Sequence, residues 1–338
     1  MEALSHAKPY SSSHLPFSPP RRRPSPLLRA HRSPLRVTLC SCSKNQFSRS
    51  GYAFRGSDLR NFLMGERVIQ RSTIARSEIA AAGPADDSSR ALSELKLGSR
   101  IRGVCFYSVT AVVAIFLIVA MALVHPCVLL FDRYRRRAQH LIAKIWATLT
   151  IAPFYKLEIE GMENLPPRST PAVYVSNHQS FLDIYTLLTL GRCFKFISKT
   201  SIFMIPIIGW AMNFLGFIPL RRMDSRSQLD CLKRCVDLVR KGASVLFFPE
   251  GTRSKDGKLG AFKKGAFSVA TKTGVPVVPI TLMGTGKLMP AGMEGILNSG
   301  SVKVVIHHPI QGKDAASLCN EARSVIADTL ILHGYGVH

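Results

Sequence analysis

The sequence predicts an α/β fold: a mostly parallel central sheet flanked by helices, with an N-terminal membrane-associated helical segment. Three observations predict it. From about residue 155 onward, short β-prone runs alternate with helical patterns, the arrangement that stacks helices on a sheet. Between Arg102 and Asp132 no Lys, Arg, Asp or Glu occurs. Residues 1 to 57 are rich in Ser, Pro and Arg and contain one acidic residue, Glu2, a composition with too little apolar surface to offset the cost of ordering the chain.

The N-terminal stretch is therefore read as a leader, and its Ser- and Arg-rich, acid-poor character resembles an organellar transit peptide. Acids return at Asp58, Glu66, Glu78, Asp86 and Asp87, which places processing between roughly residues 55 and 95. Lys plus Arg outnumber Asp plus Glu by 15 to 6 in residues 1–90 and by 30 to 15 in residues 91–338. The body thus keeps a net charge of +15 without the leader. Such a surface suits lipid headgroups, nucleic acid or an acidic carrier protein. The eight cysteines include no C-x-x-C pair, so neither a zinc site nor a disulfide framework is expected, and Cys231 and Cys235, one helical turn apart, read as packing residues.

The run from Val104 to Val124 is almost wholly apolar, and about 20 residues at about 1.5 Å each match a hydrocarbon core. One transmembrane or deeply inserted helix is expected, with a break or kink at Pro126. Arg133, Arg135, Arg136 and Arg137 follow at once and should lie at a membrane face with anionic lipid. Residues 138 to 152 read as a helix with Leu141, Ile145, Trp146 and Leu149 on one side, Trp146 suiting headgroup depth. The domain boundaries are then 1–90 for the leader, 91–152 for the anchoring helices and 153–338 for the α/β domain. Strands are expected at Leu157–Glu160, Ala172–Ser176, Lys195–Ser198, Phe217–Leu220, Ser244–Phe248, Val277–Leu282 and Val302–His307, with helices at 180–190, 224–241, 262–273 and 314–332. The apolar stretch Ser201–Leu220 is broken by Pro206, Gly209 and Gly216 and fits an interfacial helix followed by a strand.

Side chains that act on substrates in such a fold gather past the carboxyl ends of strands. His178 stands there, in Asn177-His178-Gln179-Ser180-Phe181-Leu182-Asp183, although Ser180 and Asp183 also have the spacing of a helix capping box. A second strand ends in Phe248-Pro249-Glu250-Gly251-Thr252-Arg253-Ser254, where Gly251 permits a tight turn. A backbone amide, the Thr252 hydroxyl and the Arg253 guanidinium can converge there on a phosphate; the plainer reading pairs Arg253 with a surface acid.

In order along the chain, Asn177-His178 through Asp183, Gly216-Phe217-Ile218-Pro219-Leu220-Arg221-Arg222, Phe248 to Ser254 and Val275-Pro276-Val277-Val278-Pro279-Ile280 resemble the four blocks of the glycerolipid acyltransferases that share an H-x4-D motif. The first and third blocks are most similar to those of 1-acylglycerol-3-phosphate acyltransferases, and the leader is similar to that of the plastid form. The resemblance implies transfer of a fatty acyl group from a thioester of acyl carrier protein or coenzyme A to the sn-2 hydroxyl of lysophosphatidic acid, at a plastid membrane, with no metal, cofactor or nucleic-acid partner. It makes His178 the general base and Asp183 the group that orients and stabilises its imidazole. It puts Glu250, Gly251, Thr252 and Arg253 around the acceptor's phosphate, joined by Arg222 and Arg221 and, less directly, Lys199. Val275 to Ile280 shapes the acyl pocket and sheet core, and backbone amides near the His178 turn are the natural oxyanion donors.

Other readings stay open on the residues alone: an acyltransferase acting on glycerol 3-phosphate or another lysophospholipid, or a lipid-binding membrane protein without activity. No Gly-x-Ser-x-Gly elbow supports a hydrolase, and Gly284-Thr285-Gly286-Lys287 lacks the earlier Gly and the following Ser or Thr of a phosphate loop.

Overall fold

The computed structural model describes residues 84–335, with side chains described at residue 94 and from residue 96 onward. The leader up to residue 83, and the transit-peptide reading with it, lies outside the described residues.

Two helices, α1 (Pro84–Phe131) and α2 (Arg137–Ile151), precede the domain. It continues with β1 (Lys156–Glu160), β2 (Val173–Ser176), α3 (Leu182–Thr189), β3 (Phe194–Lys199), α4 (Ile208–Leu215), β4 (Ile218–Leu220), α5 (Ser225–Arg240), β5 (Ser244–Phe247), α6 (Gly265–Thr273), β6 (Val277–Met283), the single turn α7 (Thr285–Leu288), β7 (Ser301–Ile306) and α8 (Ala315–Leu332). The sheet order is β1-β7-β6-β2-β5-β3-β4. All neighbours run parallel except β6 and β7, so β1 and β7 oppose the other five strands.

The central strand explains its own position. Val173, Tyr174 and Val175 are all buried, the continuous apolar run required where both faces of a parallel sheet are covered. Alternation splits them: Tyr174 packs with Phe194, Leu246, Val278 and the inner faces of α1 to α4. Val173 and Val175 pack with Val245, Phe267, Val277 and Ala322 beneath α5, α6 and α8.

Helix α1 extends about 72 Å at 1.5 Å per residue. It begins inside the segment assigned to the leader, and it runs through Pro126 without the expected break. Proline removes only the donor to the carbonyl four residues earlier, and that residue, Ala122, is exposed. Phe106, Met121 and Val128 face the protein, whereas Val104, Phe116, Leu123 and Leu130 face outward. Near its start the Leu297 amide donates to Ser99 O at 2.9 Å, the Arg102 guanidinium donates to Phe154 O at 2.8 Å and the Tyr107 hydroxyl to Glu294 O at 2.9 Å. A Cβ on Gly103 would collide with the Gly295 carbonyl, so glycine is what lets helix and loop close up. Farther along, the Gln139 amide donates to Met121 O at 2.8 Å and the His125 and Phe214 rings lie 4.8 Å apart.

Helix α2 exposes Leu141, Ile145 and Leu149 as expected. Trp146 instead turns inward, its ring 4.7 Å from that of Tyr185 and its indole N–H donating to Thr110 O. The arginine cluster is also divided. Arg135 donates to Gly242 O and Ser169 O and Arg136 to Arg133 O, Asn213 O and Phe214 O, which makes these two struts of the fold. The Ser201–Leu220 stretch forms a 3-10 turn, α4 and β4, as its Pro and Gly breaks suggest. Ile207, with φ 64 and ψ −58, closes a strained γ-turn in which Ile208 N–H donates to Pro206 O at 2.7 Å.

Candidate active site

The turn leaving β2 is held by Asn177, whose side-chain amide donates to Leu282 O and accepts Leu282 N–H, both at 2.8 Å, tying it to the end of β6. His178 comes next. Its Nδ1 lies 2.8 Å from Asp183 Oδ2, and its ring stacks on Phe248 at 3.9 Å between centroids with 14° between planes. A fully buried carboxylate beside Nδ1 makes that nitrogen the N–H donor, which leaves Nε2 with its lone pair. Asp183 Oδ2 also accepts the Gln179 and Ser180 amides at 2.8 and 2.9 Å, and Ser180 Oγ accepts the Leu182 amide at 3.2 Å. The capping arrangement and the His–Asp pair therefore coexist in one carboxylate.

The second block packs directly against the first. Glu250 lies past the end of β5, the neighbour of β2; its Oε1 accepts the His178 amide at 2.8 Å and its Oε2 the Gly260 amide at 3.0 Å. Burial pushes this carboxyl up from its usual range, and the two amides oppose that. Ser254 N–H donates to His178 O at 2.8 Å, so the two turns are linked from both sides. Gly251 has φ 77, and a Cβ there would meet Lys263 Nζ at 2.8 Å. Lys263 thus lies over the same turn, a cation that the sequence patterns did not single out because they placed it in a helix over 262–273, which begins only at Gly265.

One expectation is corrected. The amides of His178, Gln179 and Ser180 all have acceptors within the protein, so they are not oxyanion donors in this arrangement. Arg253 Nη1 lies 2.6 Å from Glu294 Oε1, both side chains about one-third exposed. Glu294 is held below the usual carboxylate range chiefly by the Gly292 amide and more weakly by Arg253. Thr252 is exposed. Ser180 Oγ donates to Met289 O at 2.7 Å, which joins the His178 turn to the loop carrying Glu294.

The remaining candidates sit at the same end of the sheet but farther out. Lys199 ends β3 and is exposed. Arg221 and Arg222 follow β4, three strands from β2, or about 14 Å at a strand spacing of about 4.8 Å. Both are exposed, and Arg221 lines a groove of about 280 Å³ with Asp224, Arg226 and Arg234 rather than the His178 turn.

A histidine–carboxylate pair past the central strand, joined to a cationic turn past its neighbour, is an arrangement suited to removing a proton from a hydroxyl near an anionic group. Residues 156–283 match the protein-family model described as Acyltransferase. The chain is 65% identical over 264 residues to a chloroplastic 1-acyl-sn-glycerol-3-phosphate acyltransferase of Arabidopsis thaliana, covering 78% of this chain and 74% of that one. It is 52% identical over 261 residues to the Chlamydomonas reinhardtii 1-acyl-sn-glycerol-3-phosphate acyltransferase, covering 77% and 79%. The crystal structure of the 1-acyl-sn-glycerophosphate acyltransferase of Thermotoga maritima superposes with a TM-score of 0.59 at 27% identity, covering 70% of this chain and 98% of that one. The chain belongs to the 1-acyl-sn-glycerol-3-phosphate acyltransferase family.

Proposed function

We propose that this protein acylates the sn-2 hydroxyl of lysophosphatidic acid from an acyl thioester, giving phosphatidic acid, in a plastid. The identity to the chloroplastic Arabidopsis relative supports the reaction and the compartment. The observation that carries the residue assignment is the 2.8 Å contact between His178 Nδ1 and Asp183, which leaves Nε2 free to act as a base.

In this reading Nε2 accepts the hydroxyl proton as the hydroxyl oxygen bonds to the thioester carbon. Asp183 stabilises the imidazolium that forms, and the C–S bond then breaks as the thiol leaves with that proton. No acyl-enzyme is required. Arg253 grips the acceptor's phosphate with Gly251 and Thr252 beside it, Glu250 positions the His178 turn, and Arg222, Arg221 and Lys199 extend the cationic rim. The donor is acyl carrier protein or coenzyme A; the basic surface favours the acidic carrier.

The two-helix segment is read as a membrane seat. The outward faces of α1 and α2 form an apolar slab whose inner side is packed on the domain. A lysophospholipid can then present its headgroup to His178 while its chain stays in the bilayer. Residues 153–338 form the acyltransferase domain in this scheme, and the leader up to about residue 90 delivers it.

The test is turnover of purified protein in liposomes with labelled acyl thioesters. Lysophosphatidic acid should exceed glycerol 3-phosphate and lysophosphatidylcholine in initial rate, and His178→Ala should be inactive with each. Arg253→Ala should act chiefly by raising the acceptor's KM. Equal inactivity of wild type and His178→Ala with every donor and acceptor, with lipid binding intact, would establish the non-enzymatic alternative.

A further inference from the structure

A second cationic site lies at the opposite end of the sheet. Arg133, Tyr134 and Arg136 from the α1–α2 turn, Lys195 from the start of β3, and Arg234 from α5 line a cavity of about 190 Å³, closed by Gly216 and Leu238. That volume corresponds to about six waters at about 30 Å³ each, room for a phosphate and its first ester carbons. Lys195 lies near the amino end of a strand whose carboxyl end faces the catalytic side, so this cavity is separate from the His178 turn.

The four cations differ in what they already hold. Lys195, 1% exposed, donates to Leu215 O, Arg135 O and His140 Nε2 at 2.7, 3.1 and 3.2 Å. Arg136 donates to three carbonyls as described above. Arg133 and Arg234 are exposed and, among the described residues, their side chains make no hydrogen bond or ion pair; nor does any carboxylate pair with the other two. Asp132 is the carboxylate that Lys195 senses, and its Oδ2 takes the Arg137 amide. Burial, with repulsion from Arg136, pushes the Lys195 ammonium down to about 7. The two uncommitted guanidinium groups of Arg133 and Arg234 at the mouth of a void, backed by Arg136, call for an anionic guest.

The surroundings identify its class. The last turn of α1 exposes Leu130 and Phe131, at 79% and 87%, immediately before Arg133. An apolar ledge joined to a cationic cup beside a tyrosine matches the division of a lipid into chain and head. We infer that this cavity seats the phosphate headgroup of an anionic glycerophospholipid of the host membrane, its chains lying along Leu130 and Phe131, as a binding site distinct from that of the substrate. The inference rests on the membrane seat proposed above.

The experiment measures sedimentation of the full chain with phosphatidylcholine vesicles containing 0 or 20 mol% phosphatidylglycerol. It compares wild type, Arg133→Gln/Arg234→Gln, and the charge-matched control Lys272→Gln/Lys313→Gln; turnover in neutral micelles reports folding and should stay within twofold for both variants. The expected result is that anionic lipid tightens wild type and control alike, while the cavity variant loses at least tenfold of that gain. An equal loss in the control would show diffuse surface attraction, at roughly fivefold per charge, and overturn the site. Inorganic phosphate is the second arm: if millimolar phosphate raises the unfolding midpoint of wild type but not of the cavity variant, and the lipid response is unchanged, the cup serves a free anion and the lipid assignment fails. Absence of binding to any vesicle would sink the membrane seat itself, a result distinguishable from the others.

Discussion

In the proposed reaction Asp183 uses one atom for folding and for chemistry. Its Oδ2 gathers the amides of Gln179 and Ser180 and the imidazole of His178, while Oδ1 is buried with no partner. In Asp183→Asn the amide oxygen can take over all three donors, and the NH2 group fills the vacant position. The loop should persist while the charge opposite the imidazolium is lost. The expected outcome is a fall in kcat of roughly 10²- to 10⁴-fold with the acceptor KM and the unfolding midpoint little changed; a kcat within tenfold of wild type would remove Asp183 from the proton-transfer step. This pair was legible in the sequence because its members are five residues apart and bracket a strand-to-helix turn. Glu250 was legible only as part of a block. That its two oxygens each hold a different backbone amide, at His178 and Gly260, depends on how two turns pack, and no local pattern encodes it.

At the level of elements, the strands and helices of the domain fell within a few residues of expectation, because apolar runs and Gly or Pro breaks mark their ends. The loop between α7 and β7 was blank to the same reasoning, having no periodicity, yet it carries Glu294. A carboxylate 2.6 Å from the guanidinium proposed to hold the substrate's phosphate competes with that phosphate. For partly exposed pairs such competition amounts to roughly 0.2–1 kcal/mol, or about 1.4- to 5-fold in affinity. Glu294→Gln should accordingly lower the KM for lysophosphatidic acid by about that factor with kcat nearly unchanged. A raised KM would mean that Glu294 orients Arg253 instead. The chain stays helical through Pro126 because a proline costs a helix one hydrogen bond, and the carbonyl it frees lies at exposed Ala122.

The molecule as a whole presents two ends of a parallel sheet and one greasy flank. Phe116, Leu123 and Leu130 stand 72%, 75% and 79% exposed along α1, and replacing all three with serine should weaken vesicle binding by at least 10²-fold, at about 1.5–3 kcal/mol for each large apolar side chain. Turnover of a short-chain acceptor below its aggregation concentration should be unaffected, and a parallel loss there would assign those residues to the fold. That an apolar flank exists was plain from the uncharged run; that it is fastened to the domain was not, since its partners are scattered from Gln139 and Phe154 to Glu294 and Leu297.

That fastening bears on how short the chain can be made. Ser99, Arg102 and Tyr107 grip Leu297, Phe154 and Glu294, and the same loop reaches the His178 turn through Met289. This part of α1 is thus a clasp on the end of the sheet that carries the His178 turn, and it overlaps the start of the greasy stretch. Trimming the N-terminus to residue 95 should leave the clasp closed, whereas a start at residue 108 should open it and loosen the loop that reaches the His178 turn.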